Sequence, residues 1–295
     1  MKTTRIDSAN YKFNKDIPPV ASVPSGTHLT FASPDCFGGQ ITRENYENAL
    51  DGEFDWDRVN PTAGPVAILG AEPGDVLRVE ILDITPTGDG VLMTGKGLGV
   101  CQDDFDKLET RVVEMRDNHV LFSDNIKIPM RPMIGVIGVA PAGEPVNNGF
   151  PGDHGGNLDC KKIGAGAVVY LPVYVDGGLL SLGDVHGLQA DGEVGGTGAE
   201  CPAEVQVKVE LLKNCKRPTP FVENDTHYMP VASAQTMDEA ISNVVKNGVD
   251  FLMQEFAMSR FDALTFCSLA ADVRICQVVD PLMTARLEIP KQLLR

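Results

Sequence analysis

Two runs, MIGVIGVA at 133 to 140 and AVVYLPVYV at 167 to 175, are apolar on both faces and bounded by Pro, Gly or Asp. Runs of this length and branching suit strands better than helices, and strands without a polar face belong at the centre of a sheet covered on both sides. Three other runs, HLTFAS (28 to 33), PVAIL (65 to 69) and VLRVEILDI (76 to 84), read as half-buried strands. In the last of these, Leu77, Val79 and Ile81 alternate with Arg78, Glu80 and Leu82, and the turn AEPGD at 71 to 75 starts it. PAEVQVKVELL (202 to 212) adds another strand. With 30 Gly, 20 Pro and only 6% aromatic residues, the chain is suited to many turns joining short strands. The expected fold is mainly β, with a β-sandwich or barrel-like core.

The texture changes toward the C-terminus. TMDEAISNVVKNGVDFLMQEFAMS (236 to 259) places Ile241, Val244, Val245, Leu252 and Phe256 on one helical stripe, and Thr236 with Glu239 has capping-box spacing. FDALTFCSLAAD (261 to 272) predicts a second helix and VRICQVV (273 to 279) a strand, giving an α+β C-terminal portion. We divide the chain into an N-terminal β domain (1–145), a β-rich region carrying the chemical motifs (146–220) and the α+β portion (221–295), with soft edges.

A formal net charge of -16 argues against nucleic acid and anionic membrane surfaces as partners. The N-terminal stretch MKTTRIDSANYKFNKDIPPV has no apolar targeting core, and no apolar run approaches the roughly 20 residues needed to cross a bilayer. The seven cysteines contain no CxxC pair, which suits free thiols in a reducing compartment and disfavours a zinc knuckle. These features predict a soluble cytoplasmic protein.

The most unusual stretch is GDVHGLQADGEVGGTGAE at 183 to 200. A helix would align His186, Gln189 and Glu193, but Gly183, Gly187, Gly192, Gly195 and Gly196 would each cost about 1 kcal/mol there. The stretch is therefore extended or looped. In a strand leaving the core, Asp184 and His186 share a side, and Asp191 and Glu193 repeat that spacing around Gly192. Imidazole with carboxylates suits zinc and related divalent metals, with all-oxygen calcium ligation as the alternative; the bland reading is a solvated acidic turn. A second cluster, HGGNLDC (154 to 160), holds His154, Asn157 and Asp159 within a long aperiodic segment, 141 to 160. Long loops of that kind between buried strands are commonly functional. A third cluster, SPDCFGGQ (33 to 40), adds Asp35 and Cys36.

Several stretches, in order along the chain, resemble the acetamidase/formamidase family: DCFGGQI (35 to 41), GPVAILGAEPGDVLRVEILDI (64 to 84), IGVIGVAPA (134 to 142), HGGNLD (154 to 159), PVYVDGGLLSLGDVHGLQADGEVGGTGAE (172 to 200) and VRICQVVDP (273 to 281). The resemblance implies hydrolysis of short aliphatic amides to carboxylate and ammonia by a largely β protein, with metal-bound members and assembly as a homodimer or homotetramer. The matching polar positions are Asp35, Asn157, Asp159, Asp184, His186, Gln189, Asp191 and Glu193. Ala190 stands where the family usually has glycine, and LMTGKGLGVCQDDF (92 to 105) matches less clearly, which leaves substrate preference open.

Amide hydrolysis needs a strong nucleophile, stabilisation of the developing oxyanion and protonation of the departing nitrogen. A divalent metal with a neighbouring carboxylate meets these needs. We assign His186 and Asp159 as metal ligands, completed by Asp35 or Asp184, with zinc as the expected ion. Glu193 is the acid/base, Asp191 and Asp184 are further catalytic candidates, and Asn157 and Gln189 are placed on the substrate. Within enzymes the alternative is a cysteine nucleophile, Cys36 or Cys160; outside them it is a metal-stabilised binding or structural module. His28 and His119 read as structural, and Trp56 as an anchor in a turn rather than a substrate platform.

Overall fold

A computed structural model describes residues 3–294. Two large sheets and two adjacent helices make up the architecture. The nine-stranded sheet runs in the order Thr4–Ile6, Thr27–Ser33, Ala203–Leu212, Val76–Pro86, Val168–Pro172, Phe221–Glu223, His227–Ala234, Met283–Pro290 and Asp272–Gln277. It takes strands from all three sequence segments. Apart from the parallel first pair, its neighbours are antiparallel.

The second, eleven-stranded sheet has Leu180–His186 near its middle. Met133–Gly138 pairs with one edge of that strand. The other edge is shared, by Thr62–Ile68 along the first part and by Glu200–Cys201 at the end. The core lies between the sheets: Leu77, Val79, Ile81, Val205 and Val207 of one pack in a single cluster with Ile134, Ile137, Leu180, Leu182 and Val185 of the other. Full burial contributes about 1.5–3 kcal/mol per large aliphatic side chain. The mainly β expectation therefore holds, with the two apolar runs as buried inner strands.

The alternation in Val76–Pro86 holds as far as Ile81 and then shifts. Ile81 pairs with Val207 and Asp83 with Gln206, so Leu82 is an extra, bulged residue. It is exposed, whereas Ile84 is buried. A bulge resets the face of every residue after it.

Helix α1 (Met237–Phe256) starts at Thr236, whose hydroxyl accepts the Glu239 N–H. Its deepest stripe is Ala240, Val244, Gly248 and Leu252. Gly248 lies so near the sheet that a Cβ would come 2.5 Å from a Leu287 methyl. Three members of the expected stripe, Ile241, Val245 and Phe256, flank this line and are only partly buried. Helix α2 (Arg260–Ala270) follows, and Asp272–Gln277 then forms an edge strand. Among the described residues no helix is long and apolar enough to cross a membrane.

Candidate active site

The shared edge of Leu180–His186 creates the site. Thr62 pairs with Gly183 and Cys201 with Val185, so Asp184 falls where one neighbour hands over to the next. Its φ of 54° is left-handed, a conformation that costs a non-glycine residue about 1–2 kcal/mol. Asp159 (φ 42°) and Glu193 (φ 45°) share it. Three carboxylates held in the same unfavourable backbone region, all directed to one cavity, mark strain placed where chemistry is done.

His186 sits at the centre of the cluster and is 1% exposed. Its Nε2 is 2.9 Å from Glu200 Oε2, 3.5 Å from Asp184 Oδ1 and 3.7 Å from Asp159 Oδ1; its Nδ1 is 3.7 Å from Glu193 Oε1. Gln189 fixes the ring from behind, with Oε1 2.9 Å from His186 Nδ1 and its amide donating to the Asp159 carbonyl at 2.8 Å. Gly135, in Met133–Gly138, makes room for the cluster. A Cβ there would stand 2.6 Å from both Asp159 Oδ1 and Asp184 Oδ2.

Among the described residues, His186 is the only cationic group paired with these carboxylates. Burial pushes Asp159 and Glu193 well above the usual carboxylate range and Glu200 to about 7. At Asp184 burial acts the same way but is overcome by the His186 charge and by hydrogen bonds, which hold the carboxyl low. Burial likewise opposes the His186 imidazolium, and Glu200 and Asp184 more than offset it. His186 Nε2 and Glu200 Oε2 have only each other and the neighbouring carboxylates as close partners, in ion-pair contact without hydrogen-bond geometry, and Asp159 Oδ1, Asp184 Oδ1, Asn157 Oδ1 and Asp280 Oδ2 are likewise buried without a well-formed hydrogen bond. Orphaned buried polar atoms each cost about 1–3 kcal/mol and call for a ligand. Two groups have donor atoms within 4.8 Å of one another: Asp159, His186 and Glu193, and Cys36, Asp184 and Glu200. These donors could hold a divalent cation.

The structure brings together Asn157, Asp159, Asp184, His186 and Glu193 around a cavity of about 170 Å³. It does not bring in Asp35, whose carboxylate accepts the Phe37 and Gly39 N–H groups and so shapes the turn. The neighbouring Cys36 lines the cavity instead. Asp191 differs from expectation too: it is bound bidentately by Arg286 at 2.7 and 2.8 Å and contacted by Lys161. Gln189, expected on the substrate, has both amide atoms committed to the cluster's own residues. His154 packs edge-on against Phe13, with ring centroids 5.0 Å apart, outside the cavity lining. Trp56 does line the cavity, at its open side and 56% exposed. Ala190 is not in the left-handed region, so alanine is unstrained there.

Two cavity residues escaped sequence reasoning. Glu200 reaches His186 through strand pairing, and Asp280 is set by Gln277, whose side-chain oxygen accepts the Val279 and Asp280 N–H groups. Each lies inside a motif already singled out, but no spacing rule directs it inward. Of the thiol candidates, Cys36 lacks an activating arrangement, because burial pushes it well above its ordinary value while its Sγ–H donates to Asn60 Oδ1 at 2.7 Å. Cys160 is lowered to about 7 by a hydrogen bond with Cys276 and by the Arg286 charge, but it has no part in the cavity lining.

An acetamidase from Bacillus halodurans has the same fold, with a TM-score of 0.95 and 42% identity, covering 98% of both chains. A recombinant predicted acetamidase/formamidase from Thermoanaerobacter tengcongensis is similar, with a TM-score of 0.95 and 41% identity over 99% of this chain and 97% of that one. A formamidase of Methylophilus methylotrophus is 27% identical, covering 69% of this chain, which spans 64% of that relative's length. The profile of the acetamidase/formamidase family matches residues 2–149 and 146–295. With both halves of the sequence matched, the chain belongs to the acetamidase/formamidase family.

Proposed function

We propose that this protein hydrolyses short aliphatic amides to carboxylate and ammonia in a reaction that depends on a divalent metal, with zinc as the preferred ion. The observation that carries this reading is the set of unpartnered buried donor atoms facing one cavity. Asp159 and His186 supply ligands on one side, with Glu193 within reach of both and kept for proton transfer, and Asp184, Glu200 and Cys36 supply them on the other; imidazole and thiol donors favour zinc over calcium. The similar solved structures, described as acetamidases or an acetamidase/formamidase, support the same class of reaction.

A cation held by these residues would supply Lewis acidity toward the amide carbonyl and toward attacking water. The chain supplies the rest. Glu193, whose proton affinity burial raises, can take a proton from water and return it to the leaving nitrogen. Asn157 Oδ1, buried and unpartnered, is positioned to accept an amide N–H of the substrate. His186 is kept in one orientation by Gln189. Water adds across the carbonyl, the C–N bond breaks, and the proton taken from water leaves on ammonia.

The expected test result is ammonia release from formamide, acetamide or propionamide that is lost with chelator and restored with zinc. Metal-loaded protein that releases none from any of them would remove the proposal.

For the expected self-association, a candidate surface is the outer side of α2 with the neighbouring edge strand. Phe261, Leu264 and Leu269 are 76%, 51% and 88% exposed. Antiparallel pairing of the start of that strand, Asp272–Arg274, with its own copy, centred on Val273, would set Asp272 opposite Arg274. A monomer in sedimentation would contradict this.

A further inference from the structure

The cavity has two unlike linings. Carboxylates and His186 make one, while Phe37, Trp56, Val59, Met93 and Leu98 make an apolar wall, four of them packed in a single cluster and Trp56 joined to it through Phe54. The volume of about 170 Å³ is on the order of ten times that needed to hold one water on the same measure. Formamide and acetamide, with three and four heavy atoms, would leave much of that wall facing water. From this mismatch, and resting on the amide-hydrolase reading, we propose that the apolar wall is an acyl-chain subsite. It selects amides with acyl groups of three to five carbons over formamide and acetamide, and Leu98 limits chain length.

The wall is pre-organised. The turn carrying Leu98 is closed by the Leu98 N–H donating to Gly95 O at 3.0 Å. It is tied to the catalytic loop by the Val100 N–H donating to Val194 O at 2.9 Å, next to Glu193. Leu98 packs so closely on Gly196 that any side chain at 196 would overlap it. Met93 is held by Thr197, whose hydroxyl accepts the Met93 N–H at 2.9 Å and donates to the Met93 carbonyl at 3.1 Å. Phe37 is fixed by its N–H bond to Asp35, and Trp56 stacks edge-on against Phe54 with centroids 4.6 Å apart. Leu98 joins the same apolar cluster as Cys36, Phe37 and Met93. The wall and the loop bearing the acid/base are thus joined by direct contacts.

The experiment compares kcat/KM of the zinc-loaded wild type, Leu98→Ala and Leu98→Phe for the straight-chain amides from formamide to hexanamide. A methylene buried in an apolar site is worth roughly tenfold or more in discrimination. The wild type is expected to improve at least tenfold from acetamide to butyramide. Leu98→Ala should move the optimum at least one carbon longer and Leu98→Phe at least one shorter. An unchanged order of substrates across the three proteins, or a wild-type optimum at formamide or acetamide, would overturn the inference. Should no amide be turned over, the hydrolase reading fails, and calorimetric titration with butyramide and acetamide still decides the subsite. Tighter butyramide binding that Leu98→Phe weakens supports it, and equal or absent binding overturns it.

Discussion

Two charge clusters, one partly exposed and one buried, are reached from the loop 187 to 199 by residues only two apart. Asp191 turns into a network in which Arg286 bonds it bidentately, also bonds Glu288 at 2.9 Å and is joined by Lys161 and Lys162. Glu193 turns into the cavity, where four carboxylates face one imidazole and key oxygen atoms lack partners. The first cluster is complete within the chain and holds the loop in place. The second is incomplete within the chain, which is the condition of a site that expects a ligand.

The largest effect should separate the two on activity. Glu193→Gln keeps shape and removes the acid/base, so kcat is expected to fall by about 10²–10⁴ with an unchanged circular dichroism spectrum. A residual rate within tenfold of wild type would move the acid/base role elsewhere. Next comes stability, read by urea titration: Arg286→Met removes the buried cation and leaves Asp191 with Lys161 and Glu288 with Lys162 alone, a loss expected at the low end of that for breaking a buried ionic network, about 3 kcal/mol. In the presence of chelator, Glu200→Gln should cost nothing in the same urea titration, because it relieves rather than creates unbalanced charge.

Much of the fold was legible because its signals are local. Alternation and turn chemistry located Val76–Pro86, a run apolar on both faces located Met133–Gly138, and the glycine count excluded a helix over 183 to 200. The candidate site was legible where strand geometry reaches, as for Asp184 beside His186. It was misread at Asp191 and Glu193, because a side-sharing rule assumes extended backbone. Gly192 at φ 95° and Glu193 at φ 45° break it and send the two carboxylates apart. Glu200 was hidden for a different reason: it meets His186 through cross-strand register, which sequence spacing does not encode. Asp35 lost the cavity to Cys36 by one residue, since its oxygens are consumed by N–H groups of the turn.

His154 offers a control outside both clusters. Burial pulls its imidazole down to about 4, against an ordinary value of about 6.5 in the unfolded chain. Between those values the unfolded state binds more protons, so stability is lost as pH falls through the window, by about 3 kcal/mol in all. Unfolding at pH 7 and pH 4.5 should show a steeper loss for wild type than for His154→Gln; parallel losses would contradict it. The smallest effect belongs to Asp191→Asn, part-exposed and expected to cost about 1–2 kcal/mol while leaving kcat within a fewfold of wild type. A collapse of kcat with intact stability would place Asp191 in the chemistry after all.

The claim that the cavity cluster is completed by a cation is tested most directly by titrating zinc into chelator-stripped, dialysed protein while following ammonia release from an aliphatic amide. The account predicts no turnover at the start and a linear rise that saturates at a fixed whole-number ratio of zinc to chain, with the rise absent in His186→Ala. Full turnover by the stripped protein, unchanged by added zinc, would contradict it.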